Sequence, residues 1–173
     1  MRVFISIDFP KNIQEEVKKI QDKLPEFKGK KTEPENLHLT LKFLGEINQK
    51  QLEEIKERLK GIKFFRFETE FKNMGFFDHQ KYGVVWIHLS NCDTLQKIVD
   101  SVLKDFFKSE YRFMGHLTIA RVKKLENKGK FLEDLKRIEV PSLNFKVDNF
   151  KLKKSILKVE GPVYETLEEY KLE

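Results

Sequence analysis

The chain has 173 residues, 34 Lys+Arg against 28 Asp+Glu, and a net charge of +6. Its length suits one unit with its own core, and sixteen Phe supply apolar material that a disordered chain lacks. No apolar run is long enough for a transmembrane helix, and a single cysteine, Cys92, excludes an intrachain disulfide or a cysteine-rich zinc site, which agrees with a cytoplasmic location.

Taken in chain order, Val3, Ile5, Ile7 and Phe9 alternate with Phe4, Ser6 and Asp8, the period-two pattern of an N-terminal strand. Ile13, Val17, Ile20 and Leu24 then recur at helical steps until Pro25 stops them. Lys28-Gly29-Lys30-Lys31 reads as a basic loop, and Asn36 to Leu44 as a second strand between Pro34 and Gly45. Leu52, Ile55, Leu59 and Ile62 mark a second helix. Alternation at Phe65, Phe67, Thr69 and Phe71 predicts a third strand running towards Gly75, and Tyr82 to Ser90 a fourth. A third helix carries Leu95 to Phe106, with Asn91 or Asp93 as its cap. A strand from His116 to Val122 follows, then a short helix at Phe131, Leu132, Leu135 and Ile138, and two final strands between Leu143 and Leu172 broken at Gly161-Pro162. This order predicts an α+β fold with largely antiparallel pairing. A dinucleotide-binding fold is excluded, because Asp8-Phe9-Pro10 offers no glycine-rich turn after the first strand.

Two of the four histidines share one setting: Leu37-His38-Leu39-Thr40-Leu41 and Gly115-His116-Leu117-Thr118-Ile119. In a strand, residues i and i+2 share a face, so each copy presents an imidazole and a hydroxyl while its leucines face the other way. If two half-domains pair about a pseudo-twofold axis, both pairs meet in one cleft. Such a site suits phosphate-ester hydrolysis. One neutral imidazole deprotonates water, one imidazolium protonates the departing oxygen, and the hydroxyls donate to the phosphate oxygens. No metal or cofactor is required. His88-Leu89-Ser90 repeats the short pattern in a poorer setting and reads as a chance match, while His79 lies in a turn-like, exposed segment. No two histidines stand at metal-ligand spacing on one element.

The motifs His38-Leu39-Thr40-Leu41 and His116-Leu117-Thr118-Ile119 resemble those of the 2H phosphoesterase superfamily. The longer strings Met1 to Asp8, Pro34 to Glu46, His116 to Val122 and Gly161 to Glu165 are similar to its RNA 2′,3′-cyclic phosphodiesterases, also called 2′-5′ RNA ligases. The likeness runs essentially end to end. It implies one bilobal domain over residues 1–173, with two pseudo-symmetric lobes, each a mostly antiparallel sheet with flanking helices, and the active-site cleft between them. It also implies hydrolysis of a cyclic RNA end to a 2′-phosphate, with His38 the general acid at O3′ and His116 the base on water. Ligation in reverse, on broken tRNA-like halves, is the further activity it implies. Arg121 would help bind the phosphate or the neighbouring backbone, Phe43 would stack a base, and a monomer is expected. Family members often carry Pro before the second histidine, where this chain has Gly115. The basic charge takes a specific form under this reading: Lys28, Lys30, Lys31, Lys42 and Arg121 should flank the cleft. Two alternatives are a non-catalytic RNA-binding module and a phosphodiesterase acting on small cyclic nucleotides.

Overall fold

A computed structural model describes all residues from 1 to 173. In chain order the elements are β1 (Arg2–Asp8), α1 (Lys11–Gln21), β2 (Lys28–Lys31), a 3₁₀ turn (Pro34–Asn36), β3 (His38–Glu46), α2 (Gln49–Lys60), β4 (Phe67–Asp78), β5 (Gly83–Leu89), α3 (Asp93–Val102), β6 (His116–Lys124), α4 (Lys128–Lys136), β7 (Asn144–Val147), β8 (Asn149–Lys158) and β9 (Gly161–Lys171). Every pairing is antiparallel, in the order β7-β4-β5-β6-β3-β1-β8-β9.

That order divides into two halves of four strands. β3-β1-β8-β9 forms one lobe and β6-β5-β4-β7 the other. The halves join through a single residue pair, Leu39 with Leu117, so β3 and β6 splay apart on either side of it. The lobes also exchange cover, since α1 packs against β6 and α3 against β3. Beneath both lies one continuous hydrophobic cluster, which includes Ile5, Leu39, Ile55, Leu95, Leu117 and Phe150.

Three sequence expectations change. The basic stretch at Lys28–Lys31 is an edge strand, paired with β6 from Lys124 to Ala120. All four of its residues are exposed, so no period-two burial marks it. The tail holds three strands rather than two, the extra one being the short β7 against the start of β4. The third helix is capped by Cys92 without a side-chain bond, and neither Asn91 nor Asp93 fills that place. Asn91 instead takes the left-handed conformation and donates from its side chain to the Glu68 carbonyl.

Candidate active site

β3 and β6 are built alike. His38, Thr40, His116 and Thr118 are half-buried, and Leu39, Leu41, Leu117 and Ile119 between them are buried on the opposite face. Each strand then carries a one-residue bulge. β1 pairs Ile5 with Lys42 and Ser6 with Thr40, leaving Leu41 over; β5 pairs Val85 with Ala120 and Trp86 with Thr118, leaving Ile119 over. An extra residue reverses which face the following side chains take. Phe43 and Arg121, each five residues after its histidine, therefore rejoin the histidine face instead of entering the core.

The same bulge explains a correction. Lys42 does not flank the cleft: it is 4 % exposed, on the core side of β3, where its ammonium meets Asp100 Oδ1 at 2.6 Å and the Lys108 carbonyl at 3.0 Å. Lys28 is also elsewhere, beside Phe131 and Asp134 at the outer edge. Lys30, Lys31 and Arg121 do line the cleft.

The antiparallel pair Leu39–Leu117 lies on the pseudo-twofold axis. In that register His38 lies towards Thr118 and His116 towards Thr40. All six sequence candidates, His38, Thr40, Phe43, His116, Thr118 and Arg121, line one cavity of about 150 Å³. Beyond these and the expected Lys30 and Lys31, sequence reasoning missed part of the wall, notably Thr32, Asn36 and Tyr164. Thr32 hydrogen-bonds the Thr118 carbonyl through its hydroxyl at 3.0 Å, and Asn36 donates to the Pro162 carbonyl at 3.0 Å, which holds the start of β9 over the site. Their signal in the sequence was proximity to a motif only, as each is a common polar residue in a loop.

Both imidazoles are fixed in the same tautomer. His38 Nδ1 lies 2.7 Å from the Asn36 carbonyl and His116 Nδ1 lies 3.1 Å from the Met114 carbonyl. A carbonyl only accepts, so Nδ1 carries the hydrogen and Nε2 keeps its lone pair when the ring is neutral. Aromatic contacts hold the ring planes. His38 sits 5.0 Å from the Phe4 ring and edge-on to Tyr164 at 5.2 Å. His116 meets Phe77 edge-on at 5.4 Å, and Phe77 lies against Trp86 at 4.9 Å. Trp86 fits only because Gly75 has no side chain, since a Cβ there would stand 2.2 Å from the indole. Gly115 is likewise a matter of space: a Cβ would come within 2.8 Å of Cys92 Cβ and 3.1 Å of Leu39.

Burial pushes the His38 pKa down to about 4. The Asn36 carbonyl opposes this by favouring the protonated ring, nearby Lys153 adds to the lowering, and Asp8 works against it. Asp8 stands opposite His38 in the sheet and bonds Lys151 at 3.0 Å and also Lys153. Burial alone would raise its carboxyl, but those two ammonium groups hold it below the usual carboxylate value. His116 is also lowered by burial, with the Met114 carbonyl opposing and the His88 opposite adding slightly. His88 is thus a cross-strand neighbour of the site, outside the cavity wall. His79 is exposed in the turn after β4.

Two lobes of matching strand order, each bringing a histidine and a threonine to the cleft between them, define a bilobal two-histidine α+β protein. The chain belongs to the family described as LigT like Phosphoesterase, which matches residues 7–86 and 90–164. A relative from Methanocaldococcus jannaschii, named RNA 2′,3′-cyclic phosphodiesterase, is 37 % identical over 98 % of this chain and 100 % of its own. One of the same name from Archaeoglobus fulgidus is 38 % identical, over 96 % of this chain and 98 % of its own. The solved structure of TT0787 from Thermus thermophilus is similar in fold, with a TM-score of 0.83 at 24 % identity, covering 99 % of this chain and 97 % of that one.

Proposed function

We propose that this chain hydrolyses RNA 2′,3′-cyclic phosphate ends to 2′-phosphates without a metal, acting as one bilobal unit and a monomer. The observation that carries the reading is the pair of twofold-related imidazoles, each with Nδ1 held by a carbonyl two residues upstream and Nε2 without a protein partner. Two such rings on opposite sides of one phosphorus perform in-line displacement. His116 takes a proton from water through Nε2, and its lowered pKa keeps it neutral and able to accept at pH 7. His38 returns a proton to O3′ as the P–O3′ bond breaks. The ring is neutral in the free protein, and a bound phosphodiester anion beside it favours its protonated form. Thr40 and Thr118 donate to the non-bridging oxygens as charge grows there. Arg121 binds phosphate and Phe43, which is 68 % exposed on the cleft side, stacks the terminal base. The names of the relatives from M. jannaschii and A. fulgidus support the same substrate.

The test is turnover of a cyclic-ended oligonucleotide in EDTA, followed by identification of the product's phosphate position. A 2′-phosphate supports the stated roles, and a 3′-phosphate reverses which histidine serves which oxygen. His38→Ala and His116→Ala should each lose on the order of 10²–10⁴ in rate. Thr40→Val or Thr118→Val should lose on the order of 10² or less. Full activity of His116→Ala would overturn the two-histidine mechanism, and RNA binding by the wild-type protein with no turnover would leave a non-catalytic RNA-binding module as the better reading. Formation of a 2′-5′ linkage from tRNA-like halves, one ending in the cyclic phosphate and one in a free 5′-hydroxyl, checks the ligation direction.

A further inference from the structure

Resting on that reading, we propose that the substrate is bound as an oligonucleotide, whose residues upstream of the reacting end lie along a basic track leading out of the cleft. The track follows the far end of β6 and the turn between β4 and β5. Lys30 and Arg121 line the cleft and also a neighbouring cavity of about 430 Å³, which they share with Tyr82 and Lys123. Tyr82 and Lys123 in turn border a further cavity of about 310 Å³, where Lys81 and Lys124 are added. The surface is therefore continuous from the site outward.

Its charge is available. Lys81, Arg121, Lys123 and Lys124 are exposed and make no ion pair, while the carboxylates along the way are already engaged: Glu33 by Lys30 at 3.4 Å, and Asp78 by Lys128. Lys30 also reaches the Glu160 carbonyl at 2.5 Å. Midway stands Tyr82, 43 % exposed, with the Arg121 guanidinium 5.7 Å from its ring centre and the His79 ring 4.9 Å away. An ordered, exposed aromatic among free cations is what single-stranded nucleic acid requires, since bases stack on the ring and phosphates meet the ammonium groups. Direction follows from the pseudo-twofold. Phe43 and Arg121 occupy equivalent positions on β3 and β6, so a terminal base on the Phe43 side leaves the Arg121 side for the departing strand. A cyclic mononucleotide would fill the cleft and leave this track empty.

The test is equilibrium binding, which does not depend on turnover. Fluorescence anisotropy gives the Kd of a labelled tetranucleotide ending in a 2′-phosphate, and competition gives that of the 2′-phosphate mononucleotide. The tetranucleotide should bind at least tenfold more tightly. In the double variant Lys81→Ala/Lys123→Ala that advantage should shrink about fivefold or more. The slope of log Kd against log salt should become shallower by about 1.4, two contacts at roughly 0.7 each. Tyr82→Ala should cut the advantage by about tenfold, in the range of one lost stack. Equal affinity for the two ligands, or an unchanged advantage in all three variant positions, would overturn the track. Failure of turnover alongside intact length-dependent binding would overturn the hydrolase reading and leave the track standing.

Discussion

His38 and His116 occupy equivalent positions, yet their surroundings differ in ways that bear on stability. His38 is wedged between Phe4 and Tyr164, with Asp8 and Lys153 nearby, and burial takes it down to about 4. In the unfolded chain the same ring titrates at its ordinary 6.5. The folded value is thus the lower one, so between pH 6.5 and about 4 the unfolded chain holds the extra proton and stability falls as pH falls. Above pH 6.5 there is no cost, and below about 4 the cost is complete. His38→Gln should remove this component, on the order of 3 kcal/mol between pH 7 and pH 4. Denaturant titrations of both proteins across that range check it, and parallel curves would contradict the burial account. His116 adds a cost of the same sign within the region below 6.5, while Asp8, lowered in the fold, withdraws its contribution only below its ordinary 3.8. The residues of the two motifs were legible in the sequence because imidazole and hydroxyl recur with one leucine between them. Tyr164, Thr32 and Asn36 were not, because nothing local distinguishes a tyrosine or asparagine that meets the site from one that does not.

At the scale of the elements, the bulges in β3 and β6 decide which side chains reach the substrate. Alternation counted strictly from His38 would send Phe43 to the core and leave Lys42 at the cleft; the extra Leu41 exchanges them. Placing Lys42 at the cleft was accordingly a phase error, and strict period two cannot detect a bulge. The buried Lys42–Asp100 pair is now a structural link between β3 and α3, extended by the Glu110 amide, which donates to Asp100 at 3.1 Å. Removing one partner strands a buried charge. Lys42→Ala should therefore destabilise the protein by about 3–5 kcal/mol, measured by denaturant unfolding. Activity per folded molecule should stay near wild type, because the side chain lies on the face away from the cleft. The basic strand β2 was missed for a related reason: an edge strand exposed on both faces has no hydrophobic period.

The whole molecule is two lobes that meet at one pair of leucines and yet share one core. With α1 packed on β6 and α3 on β3, neither lobe keeps its own cover when the other unfolds. Unfolding should be a single transition. Trp86, the only tryptophan, reports on one lobe and far-ultraviolet circular dichroism on both. Their denaturation curves should coincide, and an early tryptophan transition would show independent lobes.

By itself the sequence determined the α+β class, most of the elements and the two imidazole–hydroxyl pairs, because alternation and helical periodicity are local and a duplicated motif is visible without coordinates. Only the tertiary structure decided that the Leu39–Leu117 pair lies on the axis, that His38 faces Thr118 and His116 faces Thr40, and that Phe43 and Arg121 turn towards the site while Lys42 turns away. Those outcomes depend on strand register and on single extra residues, which are settled by partners distant in the chain: 78 residues for Leu39 with Leu117 (117 − 39), 34 for Ser6 with Thr40 (40 − 6) and 32 for Trp86 with Thr118 (118 − 86).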